Sequence, residues 1–285
     1  MRRVSASGLP LPALGQGGWQ LGDNPDRAPQ EIEALRLGLD LGLTLIDTAE
    51  MYGSGRSERL IGRAMEGRPR DSYQLVSKVL PQNAGRRHIF QSCEASLARL
   101  QTDYLDLYLL HWRGTVPLAE TVECMETLVQ AGKIRRWGVS NFDTADMEEL
   151  WRIQDGQRCA VNQVLYNLGS RGIEFDLLPW LAAHGVAAMA YCPVAQAGAL
   201  KRMHKDFYKD PTLAAIAKKY AVSVTQLLLA FTLRQAHVIA IPKAANPAHV
   251  KENAAAAALI AAPEDWAQID RVFWPPTAKM HLDIE

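Results

Sequence analysis

The chain has 285 residues, 48% hydrophobic and 22% charged, with Lys plus Arg and Asp plus Glu balanced at 31 each. That composition suits a globular protein with a sizeable core, and a formal net charge of zero gives no electrostatic reason to expect nucleic acid or an anionic membrane as a partner. Cys93, Cys124, Cys159 and Cys192 show no C-x-x-C spacing and have no His cluster beside them. A disulfide framework and a metal site are therefore not expected, and the cysteines read as reduced, mostly buried thiols of a cytoplasmic protein.

Arg2 and Arg3 are followed by Ser5, Ser7, Gly8, Pro10 and Pro12 rather than by an apolar run, which argues against a secretory signal. The longest apolar stretch, 254–262, is alanine-rich and too short to span a bilayer. In chain order, a β-rich apolar run at 13–17 leads to a helix over 31–41, where Leu35 and Leu39 stand four apart. Runs at 44–47 and 74–79 come next, then a helix over 86–100, a run at 105–111, a helix over 118–131 and a run at 134–140. Asn141 or Asp143 caps the helix that begins before Met147. Runs at 160–165 and 186–191 follow. Two helices, 216–220 and 224–233, precede the last run, 238–241.

Several of these runs are apolar throughout, as strands buried on both faces of a parallel sheet are. Most start roughly 25 to 30 residues apart, the length of one βα unit. Eight such units predict an α/β fold, the (β/α)8 TIM barrel, as a single domain over 1–285. The rival is a doubly wound open sheet, which normally carries a glycine fingerprint after its first strand. Here Gly15-Gln16-Gly17-Gly18-Trp19-Gln20 lacks the final glycine and precedes no strong helix.

A barrel gathers its active site at the C-terminal ends of its strands. Asp47 ends the second run, with Tyr52 five residues on; Lys78 lies at the end of the third, and His111 ends the fourth. Each alone reads as a cap, a solvated lysine or a structural histidine, but the strand ends converge on one mouth. A phenol is too weak an acid at neutral pH unless a cation favours its phenolate. Lys78 is expected to lower the Tyr52 pKa, Asp47 to hold Lys78, and His111 to hydrogen-bond a carbonyl oxygen while Tyr52 protonates it.

Asp47-Thr48-Ala49-Glu50-Met51-Tyr52-Gly53 resembles the D-x-A-x-x-Y-G motif of the aldo-keto reductase family. Val76-Ser77-Lys78 resembles its lysine strand, and the segment from Leu105 to Trp112 its histidine strand. The similarity continues through Gly138-Val139-Ser140-Asn141-Phe142, Asn162-Gln163, Tyr191-Cys192-Pro193 and Ile241-Pro242-Lys243. It covers almost the whole chain in the family's order and looks most similar to small bacterial members, including methylglyoxal reductases. The resemblance implies an NADPH-dependent reductase of small aldehydes and ketones, with NADH as a possible cofactor, acting as a monomer. Ser140, Asn141 and Gln163 would hold the carboxamide of a cofactor stretched across the mouth, and Tyr191 would stack on its nicotinamide. Gly18, Trp19, Asp47, Cys192, Pro193, Val194, Gln196, Lys243, Ala244, Asn246, His249, Glu252 and Asn253 complete the implied cofactor site. Trp19, Met51, His111 and Trp112 line the implied substrate pocket, where apolar walls favour small, uncharged carbonyl compounds. Arg113 could anchor a carboxylate, but a solvated loop role suits it better.

The sequence departs from the family's pattern at three positions. Cys192 stands where the family has Ser, and a thiol is the weaker hydrogen-bond donor. Ala244 replaces a polar residue and His249 replaces Arg at the implied 2′-phosphate site, where a guanidinium would clamp permanently and an imidazole is charged only in part near neutral pH. Weaker discrimination against NADH is expected, with NADPH gaining ground below neutral pH. Two rival functions use the same residues: a non-catalytic cofactor-binding regulatory subunit, and a Schiff-base aldolase with Lys78 as nucleophile.

Overall fold

Eight parallel strands with helices between them make up the fold, and the computed structural model describes residues 2–195 and 206–284. A hairpin comes first, β1 (Arg3–Ala6) with β2 (Leu9–Pro12), turning at Ser7 and Gly8, both at positive φ. The barrel strands are β3 (Gln16–Gly17), β4 (Leu45–Asp47), β5 (Gln74–Val79), β6 (Leu105–Leu110), β7 (Ile134–Ser140), β8 (Val161–Leu165), β9 (Ala187–Tyr191) and β10 (Val238–Ala240). Each pairs in parallel with the next. The first and last strands also meet: Gly15 N donates to the Ala240 carbonyl at 2.9 Å, Ala240 N to that of Ala13 at 2.8 Å, and Gly17 N to that of Pro242 at 3.0 Å. These bonds close the sheet on itself and leave no open edge.

The helices are α1 (Ala28–Asp40), α2 (Arg56–Met65), α3 (Ile89–Leu100), α4 (Leu118–Gln130), α5 (Thr144–Trp151), α6 (Leu177–Ala183), α7 (Pro211–Lys219), α8 (Val224–Leu233), α9 (Pro247–Ala256) and α10 (Pro263–Val272). Asp143, not Asn141, caps α5: its side chain accepts from Asp146 N, and the Asp146 side chain accepts from Asp143 N, a reciprocal capping box. Asn141 instead takes a left-handed backbone, φ 59°. Among the described residues, no single helix is long and apolar enough to cross a membrane.

Helices α2, α6, α9 and α10 are not among those read from the sequence, and the hairpin supplies the two strands that the sequence reading does not foresee. Pro10 and Pro12 disguise β2, because proline lacks the N–H that a central strand must donate. In the fold β2 pairs only with β1, so the missing donors cost nothing. Val4, Ala6, Leu11 and Ala13 are buried against Leu45, Val76, Leu107, Leu109, Val161, Ala187 and Ile239 inside the barrel. The Arg2 guanidinium ties this end down by donating to the carbonyls of Leu233, Ala236 and Val238. The hairpin thus floors the barrel at the N-terminal ends of its strands.

Strand side chains alternate between the barrel's two faces with a period of two. Stepping two residues from an apolar core position therefore reaches the mouth: Leu45 to Asp47, Val76 to Lys78, Leu109 to His111, Val161 to Gln163, and Met189 to Tyr191. One parity rule places five polar side chains above an apolar plug.

Candidate active site

The five converge beside a cavity of about 290 Å³. Lys78 is fully buried, and its Nζ reaches three acceptors: Asp47 Oδ2 at 2.8 Å, the Thr48 carbonyl at 2.8 Å and the Tyr52 hydroxyl at 3.1 Å. Three acceptors match the three protons of an ammonium. The other Asp47 oxygen, Oδ1, accepts from Gln163 Nε2 at 2.8 Å. Both carboxyl oxygens thus act as acceptors, as a carboxylate requires. Burial opposes the Lys78 charge, but Asp47 and Tyr52 together outweigh it and hold the ammonium's pKa above its ordinary value.

Tyr52 departs from expectation. Burial pushes its phenol up, by more than Lys78 pulls it down, and Asp47 adds to the upward push. The sequence reading anticipates a lowered pKa, and the structure reverses the direction. The carboxylate 2.8 Å from Nζ cancels much of the ammonium's field, while water is excluded from the phenol. Tyr52 is consequently a neutral phenol that can donate a proton, with Lys78 already in place for the phenolate that donation leaves behind.

Trp19 packs edge-on against Tyr52, ring centroids 4.8 Å apart, and is 47% exposed, as a residue at a cavity mouth can be. The His111 ring lies 5.8 Å from that of Tyr52. Burial, reinforced by Lys78, drives the His111 imidazole down to about 3, so it is neutral at any ordinary pH. Its Nδ1 is buried without a hydrogen-bond partner among the described residues.

A polar rim follows on β7, β8 and β9. The Ser140 hydroxyl donates to the Gln163 carbonyl at 2.9 Å, and Tyr191 OH donates to Asn141 Oδ1 at 2.9 Å. Asn141 Nδ2 in turn donates to the His111 carbonyl at 3.2 Å. Asn tolerates the left-handed backbone that turns its amide into this network better than most residues do. Cys192 shares that conformation, φ 49°, and lines the cavity with Pro193 and Val194.

Of the residues singled out in the sequence, Gly18, Trp19, Asp47, Met51, Tyr52, His111, Ser140, Asn141, Gln163, Tyr191, Cys192, Pro193, Val194 and Lys243 line the cavity. Lys78 stands directly behind Asp47 and Tyr52. Trp112 is not part of the lining; its ring lies 4.8 Å from that of His111. Ala244, Asn246, His249, Glu252 and Asn253 lie past the lining, on the turn after β10 and on α9. There the Asn246 side chain caps the helix, His249 and Glu252 are exposed, and Asn253 is buried. Gln196 falls outside the described residues. Arg113 anchors nothing in the cavity, since its guanidinium grips Glu149 at 2.8 and 2.9 Å and Asp146 at 3.4 Å.

Sequence reasoning passes over Gly17, Ile241 and Pro242 as site residues, although they line the cavity. Gly17 had a readable signal in the glycine cluster: a Cβ there would sit 2.7 Å from the Ile241 carbonyl, and one on Gly18 would sit 2.6 Å from that of Asp47. Both strands can approach this closely only without side chains. The Thr48 carbonyl, third acceptor of Lys78, had none, because a backbone oxygen leaves no mark in the sequence.

The arrangement suits a flat, amide-bearing aromatic ring beside a small carbonyl compound. Tyr191 offers a ring face, and Ser140, Asn141 and Gln163 offer donors and acceptors at its edge. The His111 imidazole and the Tyr52 hydroxyl, both in the cavity lining, offer polar partners for one oxygen. The model of the aldo/keto reductase family matches residues 13–273. The chain is 50% identical to methylglyoxal reductase YeaE of Escherichia coli K12 over 96% of its length and 95% of that protein's. It is 29% identical to the NADH-specific methylglyoxal reductase of the same organism, over 89% of this chain and 92% of that one. Among solved structures, an aldo/keto reductase from Klebsiella pneumoniae in complex with NADP and acetate superposes with a TM-score of 0.95, at 51% identity and complete coverage of both chains.

Proposed function

The chain belongs to the aldo/keto reductase family, and from that premise we propose that it reduces small aldehydes and ketones, 2-oxoaldehydes such as methylglyoxal among them, using NADPH. The observation that carries this reading is the buried Lys78 ammonium, shared between Asp47 and the Tyr52 hydroxyl beside a cavity edged for a nicotinamide. When bound, the nicotinamide supplies the hydride that reduces the carbonyl carbon. Tyr52 gives its proton to the carbonyl oxygen as negative charge builds there. The transfer runs downhill even from a phenol with a raised pKa, because an alkoxide is a far stronger base than a phenolate. Lys78 then faces the phenolate, and Asp47 keeps Lys78 in place. His111, being neutral, contributes a hydrogen-bonding N–H and no charge, so it orients the oxygen without competing as an acid.

Ser140, Asn141 and Gln163 would hold the carboxamide, Tyr191 the ring, and Lys243 the phosphate-bearing end. NADPH is favoured by the Klebsiella relative's bound NADP and by Lys243, while Ala244 and His249 leave room for NADH. With Arg113 committed to Glu149 and Lys243 given to the phosphate-bearing end, neutral substrates suit the mouth better than carboxylates. The aldolase reading needs a free amine at Lys78, and a fully buried ammonium with three acceptors is not one.

The test is NADPH oxidation by the purified protein with methylglyoxal and a panel of neutral and charged carbonyl compounds. Tyr52→Phe should cost about 10² to 10⁴ in kcat and leave the NADPH dissociation constant within a factor of two or so of the wild type. Near wild-type reduction by that variant would remove Tyr52 as the acid. A wild type that binds NADPH but oxidises none with any carbonyl compound would favour the regulatory-subunit alternative.

A further inference from the structure

Gln163 occupies an unusual place in the site. It lies on β8, opposite the β4 and β5 strands that carry the charged pair, and is almost fully buried. Its Nε2 donates across the barrel to Asp47 Oδ1 at 2.8 Å and lies 3.0 Å from Met189 Sδ. The reverse orientation of the amide would set its oxygen against a carboxylate, so the network itself decides which end points where. An unbroken chain of polar contacts results: Gln163 Nε2 to Asp47, Asp47 to Lys78 Nζ, and Lys78 Nζ to the Tyr52 hydroxyl. With the two Nε2 hydrogens directed at Asp47 and the Met189 sulfur, the amide oxygen is left to receive a cofactor's carboxamide N–H.

We propose that Gln163 is a positioning residue for Asp47, holding the carboxylate with one oxygen toward Lys78 and so coupling the seating of the nicotinamide to the proton donor. The inference rests on the cofactor reading given above. A carboxylate with one hydrogen bond can rotate; one fixed at both oxygens cannot without losing a buried charge-assisted bond, and such bonds are roughly twice as strong as neutral ones. Loss of the Gln163 bond leaves Asp47 more basic, drawing the ammonium toward itself and away from Tyr52. Among the described residues, the titratable groups facing this chain are Lys78 from β5, His111 after β6, Cys192 after β9 and Lys243 after β10. Of these, Lys78 hydrogen-bonds both Asp47 and Tyr52.

Gln163→Met keeps the length and loses the donor, and Gln163→Glu sets a second carboxyl against Asp47. Both are measured with NADPH saturating, as judged by direct titration of cofactor fluorescence, with circular dichroism to establish folding. The expected result for Gln163→Met is a kcat at least tenfold lower at saturation, with the alkaline limb of the kcat profile moved to higher pH. Gln163→Glu should exaggerate both effects. A weaker NADPH dissociation constant with kcat and its pH limb unchanged would make Gln163 a carboxamide clamp alone and overturn the proposal. If Gln163→Glu does not fold, Gln163→Met decides by itself. Failure of the cofactor reading looks different, because then the wild type would neither bind NADPH nor reduce a carbonyl compound.

Discussion

The barrel mouth has two unlike halves. On the β4–β6 side, Asp47, Lys78 and His111 are buried, and every contact of the lysine is short and specified. On the side that runs from β10 to α9, Lys243 is half-buried, Ala244 contributes no polar group, and His249 and Glu252 stand in solvent. The two halves tolerate change differently. A buried ion pair has no slack, because removing one partner strands the other without water. An exposed side chain at the far end of a long ligand can be exchanged for a modest change in affinity. On the function proposed above, the proton-transfer half defines the reaction and the solvent half tunes the choice of cofactor.

The hardest way to break that contrast is to remove Lys78. Lys78→Met should abolish nearly all reduction and destabilise the fold by about 3–5 kcal/mol, because Asp47 would be left charged and buried. Adding Asp47→Asn should recover most of the lost stability and none of the activity, with urea denaturation giving the first quantity and NADPH oxidation the second. A single variant as stable as the wild type would mean that water reaches Asp47.

His111 sharpens the comparison through pH. Burial and the neighbouring ammonium hold its pKa near about 3 in the folded chain, against an ordinary value of about 6.5. Between those values the unfolded chain binds a proton that the folded chain refuses, so stability is complete above about pH 6.5 and declines as pH falls toward 3. His111→Gln should flatten that part of the stability curve. In the wild type, kcat should show no ionisation from His111 between pH 5 and 8; a step there that vanishes in His111→Gln would contradict a neutral imidazole.

The smallest effect belongs to the solvent half. His249→Arg should tighten NADPH by roughly threefold to tenfold and leave NADH unchanged, as expected of an exposed charge meeting a 2′-phosphate. Dissociation constants for both cofactors check this, and an equal gain for NADH would mean that the side chain meets some other phosphate.

The same contrast governs how much was readable from sequence alone. The eight barrel strands were legible because a buried parallel strand is apolar along its length, and 74–79, 105–111 and 134–140 say so plainly. The polar strand ends were legible too, since a charge or an imidazole at the end of such a run has few other reasons to be there. The hairpin escaped because its prolines mimic a linker. The direction of the Tyr52 shift escaped because it depends on the distance between Asp47 and Lys78 and on the exclusion of water, neither of which a motif records. Trp112 was expected to line the substrate pocket; its ring packs 4.8 Å from that of His111 but is not part of the cavity lining, a side-chain placement that no motif records.

The hairpin floor bears on how the molecule can be handled. Because β1 and β2 stopper the barrel from below, an apolar layer lies between the charged pair and the solvent beneath it. Trimming the chain to residue 13 would uncork a vessel rather than shorten a tail. Val4, Ala6 and Leu11 would leave the barrel interior, solvent would rise toward Leu45 and Val76, and the layer beneath Asp47 and Lys78 would be the first to feel it. Anything attached to this protein is better carried at a site away from its first dozen residues.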